Sequence, residues 1–421
     1  MPEQEILFMR GAFAPLKVER AEGAYLETNV GRILDAGSGA VVVNIGQGRE
    51  ELAKIAADTM ARLNYIVPLW VSEERERLVR RLAGWTPAGL NRFFFTSGGS
   101  ESVEAALKFA ILYQKVKGRM SRKKIISRQF SYHGNTLGAL SAGSTLRRAD
   151  YEHVLFDWPK IPPSFCYRCP WNKTYPGCDI DCANALEEEI QRQGAENIAA
   201  FIAEPMMGAS GGSVPPVKEY WPRLREICDR YEILLIADEV MTGFGRTGRR
   251  FAVDHWNVKP DILVGGKGLT GGYMPMGMIA VDEKIVTQCE SAGVDFMFYT
   301  YSCHPLACAI ADGVLAIMER EKLVERAAEV GARMGAHLKE ELSGHPMVGD
   351  IRGVGMFWGI ELVRDKKTRT PYPPELKCTN RVLAAAIRRG LFFYPSTGMA
   401  GKAGGDAMMI TPPYVINDND I

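Results

Sequence analysis

Two residues at the ends of apolar runs carry the chemistry this sequence offers. In ILLIADEVMTGFGRTG an apolar run ends at Asp238, and in DILVGGKGLTGGYMPMG a second one ends just before Lys267. If both runs are parallel strands of one sheet, their ends open on the same edge, where α/β folds place their ligands. An amine and a carboxylate delivered to one cleft are what pyridoxal 5'-phosphate (PLP) requires. The amine forms a Schiff base, and the carboxylate keeps the pyridinium nitrogen protonated, so that the ring takes up electrons. Alone, Lys267 reads as a solvated lysine and Asp238 as a helix cap. Together, with Gly265, Gly266 and Gly268 flanking the lysine, they favour the cofactor. These glycines are expected to leave room for a bulky ring close to the backbone.

A phosphate needs its own cradle. Thr96-Ser97-Gly98-Gly99-Ser100 falls at a strand-to-helix turn. Helix N-terminal N–H groups and a serine hydroxyl suit a phosphate dianion, and Ser100 is the expected N-cap. Phe130-Ser131-Tyr132-His133-Gly134 follows the strand KKIISR, and an aromatic there can stack on a ring. Glu204, ending IAAFIAEP, is a third acid at a strand end. Gly243, Gly245 and Gly248 match the dinucleotide fingerprint G-x-G-x-x-G. Asp238 and Glu239 fall between that strand and the glycines, where they would face a pyrophosphate, so the nicotinamide reading is rejected.

The elements that must position these residues follow from periodicity. VVVNI (41–45) reads as a buried strand, and a helix begins at Glu50. RFFFT, KKIISR, IAAFIA, ILLIAD and DILVGG are short apolar strands between helices, the pattern of a parallel sheet covered on both faces. One long helical stretch is expected from about Pro305 to Leu342. Strands at GMFWGIEL and MMITPPYVI and a helix at TNRVLAAAIRRG suggest a smaller α+β unit at the C-terminus. Residues 157–182 break the pattern. They hold Cys166, Cys169, Cys178 and Cys182 among prolines, a spacing that leaves open a structural zinc or iron–sulfur centre or no metal at all.

The bulk numbers exclude other classes. Lys plus Arg (51) nearly balances Asp plus Glu (50), so no basic field invites nucleic acid or an anionic membrane. The start MPEQEILFMRGAF lacks the basic-then-apolar layout of a secretory signal, and no apolar run is long enough to span a bilayer. Nine cysteines in 421 residues fit a reducing, cytoplasmic setting better than a disulfide scaffold.

In order, TSGGSESVEAALKFA, YHG, AEP, ADEVMTGFGRTG, GGKGLTGGYMPMG and FYTYSCHPLACA resemble the class III (ω-type) aminotransferases of PLP fold type I, from about residue 25 to the end. The resemblance implies a large domain with a mostly parallel seven-stranded sheet covered by helices, here 51–305. It implies a smaller α+β domain at 306–421, with 1–50 packing against it. Lys267 would hold the cofactor and shuttle the proton, and Asp238 would meet the ring nitrogen. Gly98, Gly99 and Ser100 would bind the phosphate, Tyr132 would stack on the ring, and His133, Glu204 and Glu239 would orient the cofactor and its neighbours. Thr300 would reach the phosphate of the neighbouring subunit, which implies a homodimer with shared sites. The donor would be an amine or ω-amino acid and the acceptor a keto acid such as pyruvate. Trp70 and Tyr132 are candidate pocket residues, as is Phe298. Lys402, in GKAGGDAMMITPPYVI, stands close to where many members have a carboxylate-binding Arg, although a solvated loop lysine reads equally well.

Some positions depart from the family pattern. Met241 replaces the Gln of acetylornithine and 4-aminobutyrate members, Gly46-Gln47-Gly48 replaces a Gly-His pair, and Cys303 replaces a Gly. The chain stops at Ile421, about where the family's last helix is expected, which suggests a shortened C-terminus. An aminomutase, racemase or decarboxylase on the same scaffold is the nearest alternative, and a non-enzymatic PLP-binding regulator a more distant one.

Overall fold

The computed structural model describes residues 16–144 and 146–421, and of Leu146 and Arg147 only the backbone. Positions 1–15 of the expected N-terminal segment, including the start MPEQEILFMRGAF, lie outside the described residues. A seven-stranded sheet forms the centre, in the order Leu90–Thr96, Gly277–Asp282, Ile262–Gly265, Leu234–Asp238, Ile198–Ala203, Lys124–Arg128, Lys160–Ile161. Only Gly277–Asp282 runs antiparallel to its neighbours; the pairs on its other side are parallel. Ile198–Ala203 and Leu234–Asp238 are buried at every position. Their lack of alternation is therefore the signature of burial on both faces. Helix Gly99–Val116 covers one face, with Val103, Leu107 and Ala110 against Ile202, Ile236 and Val264. Helices Glu73–Trp85, Tyr220–Tyr231 and Pro305–Arg320 supply the core on the other.

Two smaller sheets flank this body. Val18–Glu22, Tyr25–Thr28 and Gly31–Asp35 form an antiparallel meander joined in parallel by Leu391–Phe392. Val348–Val354, Phe357–Leu362, Asp406–Ile410 and Tyr394–Thr397 form a second antiparallel sheet. Arg246, 2 % exposed, ties the latter to the central body. It donates to the carbonyls of Met356 (3.2 Å), Thr411 (3.0 Å) and Pro412 (2.7 Å). In the rejected dinucleotide pattern, Gly248 lets a helix approach: a Cβ there would come 2.8 Å from the backbone of Ala328, within Leu323–Leu342.

Three local expectations are corrected. VVVNI is not a strand: Val41 ends a short helical turn, Ser38–Val41, and the stretch continues as an irregular buried loop. Val41, Val43 and Ile45 are buried by packing without a ladder, and Asn44 Nδ2 donates to the Gly268 carbonyl at 2.9 Å. The stretch Pro305–Leu342 is two helices, Pro305–Arg320 and Leu323–Leu342, broken at Lys322 in a left-handed conformation (φ 50°). Ser100 is not the N-cap, because the helix begins one residue earlier and Gly98 holds the cap position. Its hydroxyl instead accepts from Asn135 N at 3.1 Å.

Candidate active site

Strand register brings the two chemical residues to one edge. Asp238 is paired with Val264 in the parallel ladder. The chain then leaves Ile262–Gly265 through Gly266 into a short 3-10 turn that begins at Lys267. Lys267 is left-handed, φ 42°, a conformation uncommon for a residue with a side chain. Its carbonyl accepts from Thr270 N and Gly271 N, both at 3.1 Å, which holds the turn. Local strain thus sits on the lysine whose side chain lines the cavity.

Asp238 is 4 % exposed. One carboxylate oxygen lies 2.7 Å from His133 Nδ1, and the other accepts from Val240 N at 3.1 Å. A carboxylate offers about four lone-pair sites, so Asp238 keeps acceptor capacity for a protonated ring nitrogen. His133 Nε2 is buried with no hydrogen-bond partner. Leaving such a group unmet costs about 1–3 kcal/mol, which marks the place as one prepared for a polar ligand. Glu204 stands behind this pair. Burial lifts its carboxyl to about 7, outweighing the positive charges of His133 and Arg128, while Asp238 raises it further. Its Oε1 accepts from Gly208 N at 3.3 Å, and Oε2 lies 3.7 Å from Arg128.

The Gly98-Gly99-Ser100 turn adjoins the lysine turn. A Cβ on Gly266 would lie 3.7 Å from Gly99 Cα, and one on Gly99 would come 2.9 Å from Val240 Cγ1. Around Gly98 a Cβ would meet nothing within 4 Å. That open space, at a helix start whose first N–H groups lack partners within the helix, suits a phosphate. The Tyr132-His133-Gly134 loop is pressed onto the same turn: a Cβ on Gly134 (φ 136°) would come 2.6 Å from Ser100 Oγ. A cavity of about 780 Å³ opens beside the lysine turn, lined by Lys267, Tyr132, Phe130, Met241 and Tyr394 among others. A larger open groove, about 1470 Å³, does not have Lys267 on its walls. Chemistry and not size locates the site. The amine, the buried carboxylate, the orphaned imidazole nitrogen and the open glycine turn fit PLP.

The family model for class III aminotransferases matches residues 9–421. The chain belongs to the class III aminotransferases. It is 38% identical over 408 residues to the aminotransferase YodT of Bacillus subtilis, covering 96% of this chain and 92% of that protein. It is 37% identical over 413 residues to a putrescine–pyruvate aminotransferase of Pseudomonas aeruginosa (96% and 87% covered). Among solved structures it resembles an (S)-enantioselective ω-transaminase from Thermomicrobium roseum, with TM-score 0.90, 39% identity, and 97% and 90% covered. It also resembles a PLP-bound amine transaminase from an uncultivated Pseudomonas species, with TM-score 0.92, 35% identity, and 100% and 96% covered. This aminotransferase is therefore a PLP-dependent enzyme of PLP fold type I.

Other expected site residues of the aminotransferase stand elsewhere. Trp70 is 63 % exposed and does not line the cavity. Thr300 is exposed too, beside Tyr65, whose hydroxyl donates to its carbonyl at 3.1 Å. Lys402 is exposed and off the cavity wall, although its neighbour Gly401 lines it. The wall carries Arg148 and Lys160 instead, which motif reading passed over because nothing in their local sequence marks them. Glu239 is not among the residues lining the cavity; its carboxylate accepts from Thr242 Oγ1 and from Val253 N (2.8 Å). Of the glycines flanking Lys267, Gly265 and Gly268 admit neighbouring side chains: Cβ atoms there would come 3.1 Å from Met278 and 3.0 Å from Phe244. Cys166, Cys169, Cys178 and Cys182 line one small crevice as free thiols. Among the described residues no group of three or more His, Cys, Asp or Glu side chains is arranged to hold a metal ion. Nor, among them, is any helix long and apolar enough to cross a membrane.

Proposed function

We propose that this aminotransferase moves the amino group of an amine or ω-amino acid to a keto acid such as pyruvate, in two alternating half-reactions at one site. The observation that carries the reading is the juxtaposition of Asp238 and the Lys267 turn at neighbouring strand ends, under a cavity roomy enough for cofactor and substrate. Bound PLP supplies an electron sink for the substrate carbon that loses its proton. The chain's own residues do the rest. Asp238, fixed by His133 Nδ1, holds a proton on the ring nitrogen. The turn at Gly98, Gly99 and Ser100 takes the phosphate, and Tyr132 covers the ring. Lys267 Nζ would hold the cofactor, and its amine would serve as the base that takes up and returns the proton of the donor carbon. Met241, Phe130 and Tyr394 keep water from the reacting carbon.

We also assign the enzyme to a homodimer. Tyr65, Leu69, Trp70, Met297, Phe298 and Tyr301 are exposed apolar residues on two segments that meet where Tyr65 packs edge-on against Tyr301. A second copy would cover them, and Thr300 in their midst would reach the neighbour's phosphate. The nine free cysteines fit a cytoplasmic setting.

Visible absorbance tests the reaction. A cofactor band that bleaches with an amine donor and returns with pyruvate supports transamination. Turnover of a single substrate, with no need for a keto acid, would replace it with a mutase, racemase or decarboxylase.

A further inference from the structure

Every transamination with a keto acid needs a place for a carboxylate, and Lys402 does not stand on the cavity wall. Two other cations do. Arg148 and Lys160 line the same cavity as Lys267, with Ser144, Ala149 and Trp158 between and beside them. Both are anchored on one helix end. Lys160 Nζ donates to the carbonyls of Ser141 (2.8 Å) and Trp158 (3.3 Å). Arg148 Nη1 donates to those of Gly143 (2.9 Å) and Ser141 (3.4 Å). The two cationic groups therefore share the Ser141 oxygen and stand side by side.

Their charge is poorly compensated. Arg148 Nε is buried with no hydrogen-bond partner. The acids on the same wall are Glu152 and Asp157, both exposed. Glu152 approaches Arg148 Nε only to 3.7 Å, and its side chain is 67% exposed against 18% for Arg148, so water screens the pair. Burial, and then the charge of Arg148, pushes the Lys160 ammonium down to about 8. Two cations held together in a half-buried wall favour an anion between them.

We propose that Arg148 and Lys160 form the carboxylate subsite of this enzyme, holding the keto-acid acceptor and the carboxylate of any amino-acid donor. The Arg148 guanidinium on the cavity wall supplies a permanent positive charge with further N–H donors for a carboxylate, and Lys160 adds a point charge beside it. Neutral amines would lie along the apolar side formed by Phe130, Tyr132 and Met241. The subsite deepens the proposed transamination and rests on it for its role, though not for its ligand chemistry.

The test uses the holoenzyme and two readouts. With one monoamine donor, kcat/KM is measured for pyruvate and for propanal, which lacks the carboxylate. In Arg148→Met the ratio of the two should fall at least about 30-fold, mostly through KM for pyruvate. Lys160→Met should lower it less, and Arg148→Lys should recover part of it. Equilibrium binding of propionate, which cannot react, should weaken in the same order. An unchanged ratio and unchanged propionate binding in Arg148→Met would overturn the subsite. A wild-type enzyme that binds propionate through Arg148 yet turns over neither acceptor with any donor would overturn the reaction and leave the subsite standing.

Discussion

The site has a buried inner end beside Lys267 and an outer cavity wall, and they are made differently. At the inner end Asp238, His133 and Glu204 are 4 %, 3 % and 6 % exposed, set on strand ends or pressed against one. At the outer wall the chain from Arg148 to Pro159 is 3-10 and irregular; Glu152 and Asp157 lie exposed there, while Arg148, and Lys160 at the start of the edge strand, are half-buried on the cavity wall. Strand ends locked by a parallel ladder hold atoms to fractions of an ångström, which proton transfer needs. A loop on a rigid frame changes with little cost to the fold, which is how substrate choice varies. Changes at the inner end should therefore remove the reaction, and changes at the outer wall should alter which substrates it accepts.

The largest effect belongs to Lys267→Ala. Turnover should fall by at least about 10³-fold, with loss of the covalently held cofactor's visible band; near-native turnover without added amine would erase the distinction between the two ends. Asp238→Asn comes next. It keeps the shape but loses the charge proposed to meet the ring nitrogen, so cofactor affinity should drop roughly 10- to 100-fold. Activity should remain low at saturating PLP, a difference that steady-state kinetics with titrated cofactor would show.

Glu204 sharpens the comparison through pH. Burial raises its carboxyl from 4.5 to about 7, so its protonated form favours the fold. That contribution is complete below about pH 4.5 and is lost as pH rises through about 7. Thermal stability should decline between these values, and Glu204→Gln should flatten the decline by on the order of 3 kcal/mol. Glu239, also lifted to about 7 by burial, keeps part of the slope in that variant. A pH series of melting curves on both proteins checks the sign. The smallest effect is expected from Lys402→Ala. An exposed lysine off the wall should leave KM for pyruvate within about twofold, and a tenfold rise would move the carboxylate site away from Arg148.

The same division explains what the sequence made legible. Asp238 and Lys267 could be found because each follows an unbroken apolar strand, and burial on both faces leaves that mark in composition. The central sheet was readable for the same reason. VVVNI misled because apolar composition reports burial and not hydrogen bonding; its valines pack beneath the lysine turn with no ladder. The break at Lys322 was invisible because a lysine at φ 50° carries no glycine to announce it. The glycines beside Lys267 were found, but that Gly265 and Gly268 make way for Met278 and Phe244 is long-range packing with no local mark. Arg148 and Lys160 could not be read at all. What unites them is a shared carbonyl at Ser141, a contact between positions with no periodic relation.

The central claim is that Lys267 holds the cofactor. Reduction of the PLP-loaded enzyme with borohydride, followed by protease digestion and mass spectrometry, tests it most directly. One phosphopyridoxyl-modified peptide is expected, carrying its label at Lys267 and absent from Lys267→Ala. A label on another lysine, Lys160 included, or none with the visible band intact, would contradict it.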